Sequence, residues 1–121
     1  MSRIEHVALY TDDLERLRAW YERWLGGRAG APYVNERRAF SSFFLEFGDG
    51  ARLELMSEPG APAGLRAHVA FSLGSVEEVD RLTAEMRAAG IPVLDGPRAT
   101  GDGYYEAVVA DPDGNRLELT V

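Results

Sequence analysis

Residues 49–55, DGARLEL, recur as residues 113–119, DGNRLEL, and the two segments are identical at six of seven positions. A second repeat lies upstream of each copy, because His6-Val7-Ala8 recurs as His68-Val69-Ala70. The offsets are 64 and 62 residues, so the two repeats are collinear apart from a difference of two residues in length. Two collinear matches favour a duplicated module.

Both copies show the same order of secondary-structure signals, β-α-β-β-β. In the first copy, alternation predicts a strand over residues 3–10, and apolar residues at helical spacing predict a helix that begins at an Asp12–Glu15 capping box and ends at Gly26-Gly27. Three strands are predicted within residues 29–35, 40–47 and 52–57, the last two joined by the turn Gly48-Asp49-Gly50.

The second copy predicts a strand over residues 66–73 and a helix that begins at a Ser75–Glu78 capping box and ends at Gly90. Its three further strands are predicted at residues 92–99, 104–110 and 116–121, with a turn over residues 111–114. The sequence thus predicts one α+β domain over residues 1–121, with module 1 at about 1–57, a linker at about 58–65 and module 2 at about 66–121. The two βαβββ modules are expected to form curved mixed sheets around a concave metal-binding cavity, for the reasons that follow.

Composition excludes several classes of function. The sequence has 20 Asp and Glu against 13 basic residues, a net charge of −7, which is the wrong sign for a nucleic-acid binder. All 13 basic residues are arginine, which excludes Schiff-base chemistry and a P-loop lysine. The absence of cysteine excludes thiol nucleophiles and thiolate metal sites. A small-molecule substrate is the expected partner.

The sequence shows no apolar segment long enough to cross a bilayer and no signal peptide, so we expect no membrane partner and a cytoplasmic location.

Strand alternation places four polar residues on equivalent faces of the two modules. Val7 and Leu9 share one face of the first strand, and His6 lies on the other with Ala8. The amphipathic helices are expected to cover the apolar faces. The opposite faces then carry one His and one Glu per module beside small residues, which leaves a cavity. These four residues are His6, Glu54, His68 and Glu118.

Two imidazoles and two carboxylates suit one divalent ion of the Ni, Co, Mn, Fe or Zn type, with positions left open for water. A lone strand His is more often structural, and a Glu in such a hairpin often faces solvent or pairs with a neighbour such as Arg52. The recurrence of His and Glu together, using the only two histidines of the sequence, favours the metal interpretation.

These residues resemble the vicinal oxygen chelate superfamily, which includes glyoxalase I, extradiol dioxygenases and the fosfomycin and bleomycin resistance proteins. The resemblance covers essentially the whole sequence, and the two His and two Glu match the glyoxalase I pattern best. The pairs Trp20-Tyr21 and Leu25-Gly26 are also similar to a glyoxalase segment.

The resemblance implies a metal-dependent lyase or isomerase, similar to lactoylglutathione lyase, that acts next to a carbonyl through a metal-stabilised enediolate. It implies Glu118 as the first choice of catalytic base and Glu54 as the second, with the histidines as fixed ligands. It also implies a homodimer, in which one site can take its ligands from two protomers.

The sequence departs from glutathione-using bacterial glyoxalases at two positions. Tyr10 stands where they usually have Arg, and Glu58 stands where they tend to have Asn, so groups suited to glutathione are missing. The candidates to replace the missing carboxylate-binding group are Arg37, Arg38 and Arg98. The candidate substrate-binding residues are Tyr10, Asn35, Arg37, Arg98 and Tyr104.

Two alternatives stay open. An Fe(II) ring-cleaving dioxygenase would use two His and one Glu with open positions for substrate and O₂, and the extra carboxylate of this set argues against it. A non-catalytic binding protein of the bleomycin-resistance type would use the acidic charge and the aromatic residues to hold a cationic molecule.

Overall fold

The computed structural model describes residues 4–48, 50–64, 68–100 and 103–121. The protein divides into two units, Met1–Leu65 and Arg66–Val121, each a helix packed on its own sheet. Within the described ranges, none of the helices has the length and apolarity needed to span a membrane.

The first unit follows the predicted β-α-β-β-β order with one additional strand. Its elements are β1 (His6–Tyr10), α1 (Leu14–Leu25), β2 (Arg28–Ala29), β3 (Tyr33–Asn35), β4 (Phe40–Glu46) and β5 (Arg52–Ser57). The sheet order is β1-β5-β4-β2, and β3 also pairs with β4. The β1/β5 pair is parallel and the other pairs are antiparallel.

The predicted strand within residues 29–35 is two short strands, β2 and β3. Pro32 stands between them, and a proline has no N–H to donate to a sheet ladder. Both strands still pair with β4, so the sheet continues past the break.

Helix α1 begins and ends at identifiable caps. Asp13 is the N-cap, and its side chain accepts a hydrogen bond from Arg16 N–H at 3.1 Å, so the predicted cap at Asp12 was one residue early. Gly26 ends the helix as predicted, with a left-handed φ of 69° that favours glycine. The helix buries Leu17 and Tyr21 against β4 and β5.

The second unit has one strand fewer. Its elements are β6 (His68–Ser72), α2 (Val76–Ala88), β7 (Val93–Ala99), β8 (Tyr105–Ala110) and β9 (Arg116–Thr120). The sheet order is β6-β9-β8-β7, and β6/β9 is the parallel pair. Both sheets therefore place their first and last strands side by side in parallel.

Helix α2 covers the apolar face of this sheet. Ser75 is the N-cap, as predicted, and accepts from Glu78 N–H at 3.2 Å. The last helical residue is Ala88, and the predicted terminator Gly90 follows the C-cap Ala89 with a left-handed φ of 84°. Val79 and Met86 are fully buried against β7, β8 and β9. Burial of a side chain of this size stabilises the fold by about 1.5–3 kcal/mol.

The predicted division of faces is confirmed in both units. Leu53 and Leu55 of β5, and Leu117 and Leu119 of β9, are buried, whereas the intervening Glu of each strand is only partly covered. The predicted positions Arg3, Asp49 and 65–67 lie outside the described residues.

Candidate functional site

The first unit brings His6 and Glu54 together on one face of its sheet. Ala8 is the partner of Glu54 in the parallel β1/β5 ladder, and His6 lies two residues earlier on the same face as Ala8. The two side chains lean towards each other across the strands, with 3.8 Å between His6 Nε2 and Glu54 Oε1. His6 and Glu54 are therefore neighbours on one face of the sheet, as predicted.

The second unit repeats this arrangement in the same register. Ala70 is the partner of Glu118 in the parallel β6/β9 ladder, and His68 lies two residues before Ala70. His68 Nε2 is 3.3 Å from Glu118 Oε1. Each sheet thus presents one imidazole nitrogen to one carboxylate oxygen.

Exposure differs between the two members of each pair. The imidazoles of His6 and His68 are 41% and 55% exposed, whereas the carboxylates of Glu54 and Glu118 are 15% and 22% exposed. Each carboxylate therefore lies deeper in its sheet, and each imidazole remains open to a ligand from solvent.

Sequence reasoning missed a second carboxylate beside the first imidazole. Glu5 Oε2 accepts a hydrogen bond from His6 Nδ1, and Glu5 Oε1 accepts one from Arg52 Nε at 2.9 Å. The hydrogen bonds from His6 and Arg52 lower the pKa of Glu5 below its ordinary value. The only signal in the sequence was adjacency to His6, and strand alternation assigns adjacent residues to opposite faces. Glu5 precedes β1, so this rule does not apply to it.

An aromatic ring supports the first pair. Phe44 is the partner of Glu54 in the β4/β5 ladder, and its ring meets the His6 ring edge-on, with 5.2 Å between centroids. The guanidinium of Arg52 lies 4.2 Å from the Phe44 centroid. Phe44 and Arg52 also line a cavity of about 380 Å³ together with Arg28, Ala29, Gly30 and Glu46.

The second pair opens into a cavity of about 340 Å³ within its own unit, which is large enough for a small ligand. The lining residues are His68, Ala70, Tyr104, Glu106, Glu118 and Thr120. Tyr104, a predicted substrate-binding residue, thus lies beside the predicted ligands. Glu106 and Thr120 were not predicted, because a single Glu and a single Thr carry no signal without the fold.

The other predicted substrate-binding residues are not in the lining of the second unit's cavity, although Arg98 is the ladder partner of Glu106, which is. Tyr10 is at the far end of β1 from His6. Asn35 Oδ1 accepts from Arg38 N–H at 3.3 Å, so this side chain stabilises the turn that also holds the exposed Arg37. Arg98 donates to Asp95 at 3.0 Å, and this hydrogen bond lowers the pKa of Asp95.

A family model described as the Glyoxalase/Bleomycin resistance protein/Dioxygenase superfamily matches residues 3–119. The chain belongs to this superfamily. The resemblance to it seen in the repeated residues is thereby confirmed. Among proteins with curated descriptions, no match to this sequence was found.

Solved structures of the superfamily share the fold. The trypanothione-dependent glyoxalase I of Leishmania major is 25% identical, with a TM-score of 0.79 over 99% of this chain and 86% of that one. A glyoxylase/bleomycin resistance protein/dioxygenase domain from Frankia sp. EAN1pec is 20% identical, with a TM-score of 0.83 over 100% of this chain and 98% of that one. A glyoxalase I mutant of Zea mays is 22% identical, with a TM-score of 0.78 over 98% of this chain and 44% of that one.

Members of the superfamily typically bind a divalent metal ion, and the donor set found here fits one. Two ligand atoms about 2.1 Å from one ion lie about 3.0 Å apart in octahedral geometry and about 3.4 Å apart in tetrahedral geometry. The separation of 3.3 Å in the second unit falls in this range, and that of 3.8 Å in the first lies just above it. Each pair supplies one nitrogen and one oxygen donor. Among the described residues, no three His, Asp or Glu side chains form a group able to hold a metal.

Proposed function

We propose that this superfamily member is a divalent-metal-dependent enzyme, a glyoxalase I-like isomerase or lyase that moves a proton next to a carbonyl group. One observation carries the proposal: the same His–Glu pair occurs at the same register of both sheets, with Nε2 facing Oε1 each time. A structural role for a lone strand His does not account for this recurrence.

The proposed metal ligands are His6, Glu54, His68 and Glu118, so each unit supplies two of the four. When bound, the ion (Ni, Co, Mn, Fe or Zn) would act as a Lewis acid towards two neighbouring oxygens of the substrate. Neutral imidazole and carboxylate donors without thiolates suit ions of this group.

Glu118 is the proposed base, and Glu54 is the second choice. Glu118 lines the cavity of the second unit, whereas Glu54 does not line the cavity described for the first. A carboxylate in this position can take the proton from a carbon next to a carbonyl and return it to the neighbouring carbon. The hydroxyl proton passes from one oxygen to its neighbour in the same conversion, so the reaction is an isomerisation with no net change in protons.

The substrate class is a small molecule with oxygens on adjacent carbons, and the glutathione hemithioacetal of a 2-oxoaldehyde is the first compound to assay. Two of the arginines that could bind a substrate carboxylate in place of the missing group already pair with acidic residues. Arg38 pairs with Glu58 at 3.0 Å, and Arg98 pairs with Asp95 at 3.0 Å. These pairs favour carbonyl substrates that lack the glutathione carboxylates, and such compounds belong in the same screen.

The test is metal content per protomer by plasma mass spectrometry, after loading with Ni, Co, Mn, Fe and Zn. The untagged protein is compared with Glu118→Gln and with the control Glu58→Gln, which removes the same charge from the Arg38 pair. We expect about one tightly held ion per protomer in the wild type and in the control, and less in Glu118→Gln. A wild type that holds no ion specifically would refute the enzyme proposal.

A second candidate function is the binding of a cationic small molecule without turnover. The cavity of the second unit favours it, because Glu106, Glu118 and Tyr104 present two carboxylates and an aromatic ring to the same space. Ligand titration of the metal-free protein distinguishes this function, since binding would then persist without any loaded ion.

A further inference from the structure

Glu5 is bound at both its side chain and its backbone. Its carboxylate accepts hydrogen bonds from His6 Nδ1 and from Arg52 Nε, and its backbone carbonyl oxygen accepts from the Arg52 N–H at 2.8 Å. The side chain is half exposed, yet these bonds fix the position of the carboxylate beside the imidazole.

The surrounding contacts form a closed ring of four side chains. Glu5 bonds His6, the His6 and Phe44 rings meet at 89° between planes, Arg52 lies over Phe44, and Arg52 bonds Glu5 again. The imidazole is thus held at one nitrogen by a carboxylate and packs at a right angle against an aromatic ring. These two contacts restrict its rotation.

The consequence for the imidazole is a fixed tautomer. A neutral imidazole carries its proton on one nitrogen, and the hydrogen bond made by that nitrogen leaves the other nitrogen with a free lone pair. An ionised carboxylate can only accept, so Nδ1 is the donor to Glu5, and the lone pair of the neutral ring is left on Nε2, 3.8 Å from Glu54 Oε1. Two electron-rich atoms that face each other at this distance are suited to a cation.

We propose that Glu5 is a positioning residue, which holds His6 as the Nδ1–H tautomer and keeps Nε2 open as a ligand. The inference rests on the metal-dependent function proposed above. A carboxylate behind a metal-bound histidine raises the basicity of the ligand and typically changes metal affinity about 10- to 100-fold.

The second unit supplies an internal reference. Val108 lies opposite Glu118 at the position that Phe44 occupies opposite Glu54. In the sequence, Ala67 precedes His68 where Glu5 precedes His6, and alanine carries no carboxylate. Within the described residues, a carboxylate bonds Nδ1 of His6 and not of His68, so the two imidazoles are expected to differ.

The first experiment records the ¹⁵N resonances of both histidine rings in the full-length protein, freed of metal by a chelator, at a pH where the rings are neutral. We expect His6 to be predominantly the Nδ1–H tautomer and His68 to show more of the Nε2–H form. Glu5→Ala is expected to release His6 into both tautomers, and Glu5→Gln, which keeps an acceptor oxygen, to restore part of the preference. Equal tautomer populations at His6 in the wild type would overturn the proposal, and this result does not depend on any variant folding.

The second experiment titrates the same proteins with Ni(II) alone by calorimetry. Glu5→Ala is expected to weaken binding about 10- to 100-fold, and Glu5→Gln less. The control Glu36→Ala removes another exposed carboxylate from the same unit, at a residue that lines neither described cavity, and is expected to leave the affinity unchanged. Equal loss in Glu5→Ala and Glu36→Ala would overturn the positioning role, because net charge would then explain the effect. If the wild type binds no Ni(II), the metal-dependent function fails, while the tautomer measurement still decides whether Glu5 orients His6.

Discussion

Oε1 of Glu118 lies 3.3 Å from Nε2 of His68, in a cavity that is also lined by Tyr104. The carboxylate is mostly covered while the imidazole is half exposed, so a ligand that enters the cavity meets both groups. Glu118 differs from Glu54 in lining this cavity, since the neighbours of Glu54 are His6 and Phe44.

The first prediction concerns the proposed base. With the metal kept saturating, we expect Glu118→Gln to lower kcat about 10²- to 10⁴-fold, because an amide cannot accept the substrate proton. We expect Glu54→Gln to lower it less. Exchange of the substrate's carbon-bound hydrogen with D₂O measures the same step directly. A larger loss of exchange in Glu54→Gln than in Glu118→Gln would reverse the assignment.

The second prediction concerns Tyr104. Its backbone is held by Thr100, whose N–H donates to the Tyr104 carbonyl at 2.7 Å, so Tyr104→Ala removes the ring and keeps this hydrogen bond. We expect KM to rise about 3- to 10-fold, a loss typical of one aromatic contact, with metal content unchanged. Tyr33→Ala, at a tyrosine of similar exposure in the other unit, is the control and should leave KM unaltered.

The third prediction tests the proposed homodimer. His6→Ala disables the pair of the first unit and His68→Ala that of the second, so neither variant alone should hold metal tightly. If sites take one pair from each of two protomers, a mixed dimer of the two variants contains one site with both pairs intact. Co-expression with two different tags isolates the mixed dimer, and mass spectrometry then counts its metal.

Recovered metal binding in the mixed dimer, with none in either parent, is the expected result. A mixed dimer that forms but binds no metal would show that each site belongs to one protomer. A monomer by light scattering would refute the homodimer itself.

The repeat allowed most of the fold to be predicted. The same apolar alternation and the same Arg-Leu-Glu-Leu strand occur twice, and side-chain direction along a strand follows from the sequence alone. The faces of Glu54 and Glu118 were therefore predictable before the structure.

Contacts that depend on irregular backbone were not predictable. Glu5 bonds His6 from a position before β1, where strand alternation does not apply, and Asp13 caps α1 although Asp12, three residues before Glu15, is the one that fits a capping box. The side-chain partner of Arg98 is Asp95, on a strand whose register shifts twice, and sequence periodicity cannot locate such shifts.

The fourth prediction concerns Gly96, which lies in β7 with a φ of 76°. A Cβ at this position would lie 2.5 Å from the backbone oxygen of Glu106, one of the cavity residues. Gly96→Ala combines an unfavourable φ with this clash, so we expect a loss of about 2 kcal/mol or more in the free energy of unfolding. Gly30→Ala meets no atom within 4 Å and has no positive φ, so urea unfolding should place it within about 0.5 kcal/mol of the wild type. Equal stability of the two variants would contradict the steric account.

The last prediction concerns Asp111, a buried residue at the turn before β9. Its Oδ1 accepts from the backbone N–H of Asp113 at 2.9 Å and of Asn115 at 2.8 Å, and its Oδ2 accepts from Asn115 Nδ2 at 2.6 Å. These hydrogen bonds stabilise the turn that precedes β9, the strand that carries Glu118. Asp111→Ala leaves the donors without this acceptor, and we expect it to lower the free energy of unfolding by about 2–3 kcal/mol.

Two further variants serve as comparisons. Asp111→Asn keeps one acceptor oxygen and should lose less stability, while Asp12→Ala, at an exposed aspartate, should change little. Urea unfolding followed by circular dichroism ranks the three variants, and an Asp111→Ala midpoint equal to that of Asp12→Ala would show that the turn forms without the carboxylate.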